Sequence, residues 1–265
     1  QGEIRKFAIG GPRKPGSQVG EGFFNFQRLP AFRPENYRTC HEIGCSRLGR
    51  IIINASAYTA VDRAEEEPDL AMLINAQVPQ VMAETAHKLN AAFIHYSTDY
   101  VFDGTKNSAY SEEDATNPLN VYGQSKLKGE QAIGQMGGAY VILRTSWVYS
   151  LRGDSFITKV LSWARKQDTL RIVTDQIGSP TWARSLAETS AAMLVRSLPD
   201  PKKYFSERSG VFHLAGSGSV SRFDFTRAIL DLDPRAEEQK VKKLEAALTT
   251  EFPTAARRPL FTALN

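Results

Sequence analysis

The chain has 265 residues, 42% of them hydrophobic and 23% charged, an ordinary globular composition with room for a sizeable core. Its 33 basic and 29 acidic residues leave a net charge of +4 with the cations scattered, which argues against nucleic acid as a partner and leaves small anionic molecules open. No apolar run approaches a membrane span, and the start around Glu3, Arg5 and Lys6 lacks a signal-peptide pattern, so a cytoplasmic protein without membrane contact is expected.

In chain order, Lys6 to Ile9 reads as a short strand, and a glycine-rich stretch follows. Gly11, Gly16 and Gly20 are the candidates for a turn that cradles phosphate, but Pro12 and Pro15 interrupt their spacing. A plain loop is the competing reading. Cys40, His41 and Cys45 offer too few ligands for zinc and too few cysteines for a disulfide framework, so no metal is expected. Residues 26–49 show no strand tipped by an acidic or basic residue, which leaves both NADH and NADPH open as cofactors.

From Ile51 the pattern is regular. Ile51 to Ala57 is a β-branched apolar run ending in small residues, as in a strand buried on both faces whose end lies close to a ligand. Asp62 to Leu89 reads as helical, with a break or new first turn at Pro79. Strands are expected over Ala91–Val101, Ala139–Tyr149, Leu170–Val173 and Val211–Ala215. Helices are expected over Val121–Gln135, Ser155–Lys166, Thr181–Leu198 and Ser221–Leu232. This alternation implies right-handed crossovers and a doubly wound parallel sheet in an α/β fold.

The chemistry-bearing residues fall where such a sheet holds its ligand. Tyr122 and Lys126 are four apart and share a helix face. A nearby ammonium stabilises a phenolate and draws tyrosine down from its usual pKa of about 10, and the same lysine suits the ribose hydroxyls of a nicotinamide cofactor. Thr98, at the end of the preceding strand, offers a hydroxyl to orient and polarise a carbonyl. Trp147, near another strand end, is either a flat wall for a sugar or base or an ordinary core residue. His95 reads as a satisfied strand residue.

Several motifs carry a resemblance: Asn54 to Asp62 (NASAYTAVD), His95 to Gly104 (HYSTDYVFDG), Pro118 to Gly123 (PLNVYG), Arg144 to Tyr149 (RTSWVY), Asp175 to Thr181 (DQIGSPT) and Ala256 to Pro259 (ARRP). In this order they resemble the dTDP-4-dehydrorhamnose reductases, within the extended short-chain dehydrogenases/reductases, from Ile51 to about Asn265. The resemblance implies a Rossmann-like fold with a smaller, discontinuous C-terminal substrate region. Residues 1–149 are then mainly the dinucleotide-binding domain, and 150–265 a substrate-binding region interleaved with late strands. It implies reduction of the 4-keto group of dTDP-6-deoxy-L-lyxo-4-hexulose to dTDP-L-rhamnose by NADPH or NADH.

On this resemblance Thr98, Tyr122 and Lys126 fall on the catalytic triad. Ala57, Tyr58 and Thr59, with Tyr122, Lys126 and the glycines, would line the cofactor. Val61, Thr98, Asp99, Tyr100 and Trp147 would meet the substrate. Arg257 and Arg258 either meet its diphosphate or form a solvated pair. The family's final helix follows its Arg-Arg-Pro motif, so an end at Asn265 reads as a truncation. A homodimer is the assembly expected. The competing function is a non-catalytic nucleotide-binding subunit on the same scaffold, similar to the regulatory beta subunit of methionine adenosyltransferase.

Overall fold

The structure, a computed structural model, describes residues 50–265. The expected strand at Lys6–Ile9, the glycines Gly11, Gly16 and Gly20, and Cys40, His41 and Cys45 lie outside the described residues.

Strand β1 (Ile51–Asn54) leads into a segmented helical stretch of α1 (Arg63–Glu66), α2 (Pro68–Met72) and α3 (Val78–Lys88), with a π turn over Leu73–Gln77. The irregularity sits where Pro79 has no N–H to give the carbonyl of Asn75. β2 (Ala92–Thr98) ends in a 3-10 turn at Asp99–Val101, followed by α4 (Val121–Met136), β3 (Tyr140–Thr145) and the short β4 (Val148–Tyr149). Next come α5 (Phe156–Ala164), β5 (Thr169–Val173), β6 (Ile177–Gly178), β7 (Thr181–Trp182), α6 (Ala183–Ser197) and α7 (Pro201–Ser206). β8 (Gly210–His213), β9 (Val220–Ser221), α8 (Arg222–Asp231) and β10 (Lys243–Ala247) complete the named strands and α-helices.

β1, β2, β3 and β8 form one parallel sheet in that order, with Ile51 opposite Ala92, Phe93 opposite Tyr140 and Val141 opposite Gly210. A parallel sheet has to be covered on both faces, and the alternation along β2 shows how. Phe93 packs with Ala83 and Ala86 of α3 and Ile133 of α4 on one face. Ile94 packs with Phe205 of α7, and with Met193 and Leu194 of α6, on the other. The expected α/β architecture is therefore present in the described residues.

Three expected strands differ in detail. The run from Ala91 stops being a strand at Thr98, because Thr98 Oγ1 accepts the Tyr100 N–H and starts the 3-10 turn. The run from Ala139 breaks after Thr145, where Trp147 takes a left-handed φ of 44° that no strand accommodates. Leu170–Val173 is not a strand of the main sheet. As part of β5 it pairs in parallel with β10, which was not foreseen, and with α5 and α8 it encloses Ala164, Leu170, Ile172, Phe223, Leu230 and Leu244 in a separate core. The signal was there, since buried Leu170 and Ile172 alternate with exposed Arg171, a pattern for a sheet covered on one face.

Above the apolar layer between β2 and α4 lies a buried ion pair. Arg144 of β3 grips Glu130 of α4 through Nε at 3.0 Å and Nη2 at 2.7 Å, and the Ser97 hydroxyl of β2 donates to the same carboxylate. With the two side chains only 6% and 4% exposed, removing one partner strands the other's charge. Arg144→Leu is therefore expected to lower stability by ~3–5 kcal/mol in denaturant unfolding, and adding Glu130→Leu to recover most of that loss.

Candidate active site

The site is built on the first turns of α4. Asn120 caps the helix by accepting the Gly123 N–H at 2.8 Å, and Glu65 of α1 accepts the Val121 N–H at 2.8 Å, placing a carboxylate at the positive end of the helix dipole. A Cβ on Gly123 would stand 2.2 Å from the Tyr100 carbonyl oxygen, so only glycine lets α4 approach the turn after β2. That approach brings Tyr122 to the end of β2, where its ring meets Tyr100 edge-on with centroids 5.6 Å apart.

Tyr122, Lys126 and Glu130 follow at four-residue steps on the inward face of α4. Below Tyr122, the buried Lys126 ammonium donates to the Tyr96 carbonyl at 2.6 Å and lies 3.1 Å from His95 Nε2. Burial lowers Lys126 to about 8, against an upward pull from Glu130. The expectation that this lysine draws Tyr122 down is not what the geometry shows. Burial pushes the Tyr122 phenol up, Asp99 and Tyr100 push the same way, and the Thr98 hydroxyl acts in the opposite direction. Lys126 is turned towards β2.

Thr98 Oγ1 donates to Asp99 Oδ1 at 3.1 Å. Asp99 is enclosed: its Oδ2 accepts Ser146 Oγ at 2.7 Å and Thr262 Oγ1 at 2.6 Å, and the residue is 2% exposed. Burial raises its pKa while the three hydroxyls oppose that rise. Asp99 therefore ties β2, the turn after β3 and the last residues of the chain together, rather than presenting a free carboxylate. Ser146 and Thr262 were missed in the sequence reading, because a hydroxyl 47 or 163 positions away leaves no local pattern.

The residues that follow β1 form an open ledge beside the end of β2. Ala55 and Thr59 are exposed and Ala57 is half-buried, so small side chains leave the backbone open where an α/β sheet takes its ligand. Asn75, on the π turn, holds the ledge: it accepts the Tyr58 N–H at 2.8 Å, donates to the Tyr58 carbonyl and donates to Ser125 of α4. The Tyr58 hydroxyl donates to Glu67, which raises the phenol's pKa and lowers the carboxylate's. Ala57, Tyr58 and Thr59 are thus fixed beside the helix that carries Tyr122 and Lys126, an arrangement that fits a nicotinamide cofactor.

Val61 is half-buried just before α1, and the next residue, Asp62, pairs with Arg258 at 2.6 Å. Arg258 is therefore not a solvated cation, and its buried Nη1 has no hydrogen-bond partner among the described residues, while Arg257 is exposed. Trp147 packs its ring edge against Gly178, where a Cβ would come within 2.5 Å. The Arg222 guanidinium lies 3.5 Å from the Trp147 ring centroid and 4.6 Å from that of Phe156. Burial lowers Arg222 to about 10, and among the described residues it forms no ion pair. Arg222 was also missed, having been read only as part of a helix. It borders a cavity of about 400 Å³ lined also by Phe156, Trp163, Gln176 and Phe252.

Comparison with known proteins places this geometry among relatives. A family described as the RmlD substrate binding domain matches residues 34–265. The dTDP-4-dehydrorhamnose reductase of Escherichia coli is 41% identical over 216 residues, covering 81% of this chain and 71% of that protein. The enzyme of the same name from Burkholderia thailandensis is 39% identical over 218 residues, covering 81% of this chain and 73% of that protein. Among solved structures, a dTDP-4-dehydrorhamnose reductase from Clostridium acetobutylicum superposes with a TM-score of 0.73 at 34% identity, covering 82% of this chain and 71% of its own. One from Bacillus anthracis, in complex with NADP, gives 0.72 at 34%, with 82% and 72% covered.

The buried imidazole at the centre of the site makes stability pH-dependent. His95 is held well below 6.5 by burial first and by Lys126 second. Its unfolded form binds a proton that the folded form refuses, so stability falls as pH drops below 6.5. Lys126, at about 8 when folded, is protonated in both states in that range and adds no slope there. His95→Gln should remove a slope of up to ~1.4 kcal/mol per pH unit in denaturant unfolding below neutrality.

Proposed function

The chain belongs to the RmlD substrate binding domain family of dTDP-4-dehydrorhamnose reductases, and from that premise we propose that it reduces the 4-keto group of dTDP-6-deoxy-L-lyxo-4-hexulose to give dTDP-L-rhamnose. NADPH or NADH supplies the hydride when bound on the ledge of Ala57, Tyr58 and Thr59. Tyr122 gives its phenolic proton to the sugar oxygen. Thr98 orients that oxygen with its hydroxyl, and Lys126 lies one turn further along the same helix face to meet ribose hydroxyls. The observation that carries this reading is Tyr122 at the end of β2 beside Thr98, its phenol kept protonated by burial. A group that must deliver a proton at neutral pH needs to hold one.

The substrate region is assigned to Ser150 to Ser162, Gly178 to Leu186 and Ser217 to Asn265, with Val61, Tyr100 and Trp147 facing the sugar. Asp99 acts in it as a positioning residue, because its oxygens are already engaged. Arg222, a half-buried cation stacked on two aromatic rings, suits the diphosphate. Among the described residues no helix is long and apolar enough to cross a membrane, and a cytoplasmic homodimer completes the proposal.

The test is oxidation of NADPH or NADH by purified protein in the presence of the 4-keto sugar nucleotide. Tyr122→Phe is expected to cut kcat by ~10²–10⁴ with the far-ultraviolet circular dichroism unchanged. Thr98→Val should cost ~10²-fold in kcat. Arg222→Met should act mainly on the KM for the sugar nucleotide. Failure of the intact chain to turn over with either cofactor would return the reading to a non-catalytic nucleotide-binding protein.

A further inference from the structure

Thr98 has a single hydroxyl hydrogen with which to polarise the keto oxygen, and in this structure that hydrogen goes to Asp99 Oδ1 at 3.1 Å. Its oxygen accepts the Tyr100 N–H at 3.2 Å, which fixes the atom at the turn after β2. Of the staggered directions around the hydroxyl, one is therefore taken by that N–H, one leads to Asp99 and one remains. The same hydroxyl is the group that draws the Tyr122 phenol downward, which sets it beside the proton donor of the reaction.

The other two partners of Asp99 are better placed than Thr98. Ser146 Oγ at 2.7 Å and Thr262 Oγ1 at 2.6 Å both donate to Oδ2. Short hydrogen bonds to a carboxylate are the strong ones, so the contact with Thr98 is the weakest of the three. The set is closed off, with Thr98, Asp99, Ser146 and Thr262 at 6%, 2%, 1% and 2% exposure. Three hydroxyls around one acid fit a carboxylate, which accepts and does not donate.

Both stronger donors stand on fixed backbone. Ser146 Oγ accepts the Ser179 N–H at 3.4 Å, which leaves its hydrogen for Asp99. The Thr262 N–H donates to the Ile177 carbonyl of β6 at 2.8 Å, and the carbonyl of the next residue, Ala263, accepts the Tyr110 N–H at 2.8 Å. Asp99 is thus held by its Oδ2 from two segments far along the chain, whether or not Thr98 stays on Oδ1.

We propose that Ser146 and Thr262 are positioning residues for the reduction: by holding Asp99 through Oδ2, they allow Thr98 to turn its hydrogen from Asp99 to the keto oxygen when the sugar binds. With either one removed, Asp99 depends more on Thr98, and the hydrogen is released less readily, because a buried carboxylate that loses a donor grips those that remain. The catalytic consequence rests on the reductase reading, whereas the placement of the three hydrogens does not.

The test compares two backgrounds in the full chain. Thr262→Val, which keeps the branched shape and loses the hydroxyl, is expected to lower kcat about tenfold with the KM for the sugar nucleotide nearly unchanged, as for an interaction made in the transition state. Thr262→Ser, which keeps the hydroxyl, should stay within about twofold of wild type. In Thr98→Val protein, where there is no hydrogen to release, adding Thr262→Val should cost less than about twofold more. An equal further loss in that background, or equal damage from Val and Ser, shows a role in folding alone and overturns the proposal. If Thr262→Val does not fold, Ser146→Ala carries the same cycle. Neutron diffraction from deuterium-exchanged wild-type crystals without ligand reads the hydrogens independently of any variant. The expected result is deuterium on Thr98 Oγ1 directed at Asp99 Oδ1, and on Ser146 and Thr262 directed at Oδ2; deuterium on Asp99 itself overturns the proposal. Wild-type protein with this arrangement that turns over with neither cofactor overturns the reductase reading, and with it the catalytic role, but not the arrangement.

Discussion

The constraint on which the rest depends is the burial of polar groups at the carboxyl end of β2. His95, Ser97, Thr98 and Asp99 are all nearly inaccessible, and each has to find its hydrogen-bond partners inside the protein. Strand alternation divides the work. His95 and Ser97 point to α4 and are met by Lys126 and Glu130 at successive turns of one helix face. Asp99, in the turn beyond, is met by Ser146 and Thr262 from segments far along the chain. α4 therefore cannot shift along β2 without breaking several buried contacts at once, and this holds Tyr122 at the strand end.

The same constraint separates two tasks that the spacing of Tyr122 and Lys126 joins. A tyrosine and a lysine four apart suggest direct pairing of phenol and ammonium. Burial instead raises the phenol, while the lysine is turned to the underside of β2. Burial thus keeps the proton on Tyr122 and lowers Lys126 to about 8. The left-handed φ of Trp147 has a comparable origin: ending β3 abruptly turns the indole towards Gly178 and Arg222 instead of continuing the strand.

How much of this was legible from the sequence depended on the range of the interactions. β2 and α4 were found because a long apolar run and a four-residue spacing are local patterns, and the Thr98, Tyr122 and Lys126 set lies on them. The partnership of β5 with β10 was not found, because a five-residue strand names a covered face but not its neighbour. Asn75 was unreadable for a related reason. It lies in a stretch expected to be plain helix, yet the π turn there directs its amide to Tyr58, 17 residues away. Arg222 and Thr262 hold the site from late segments, and nothing nearby in the sequence marks them. The glycines Gly11, Gly16 and Gly20 remain a proposal for the cofactor's phosphates.

The central claim is that Tyr122 and Thr98 receive the keto oxygen of a nucleotide-linked deoxysugar at the end of β2. A crystal structure of the full chain with oxidised cofactor and dTDP-L-rhamnose tests it most directly. The account predicts the sugar O4 within hydrogen-bond distance of both Tyr122 Oη and Thr98 Oγ1, with the nicotinamide ring over the sugar's C4. A sugar bound with O4 away from Tyr122, or a dinucleotide lying elsewhere than across the ends of β1 and β2, would contradict it.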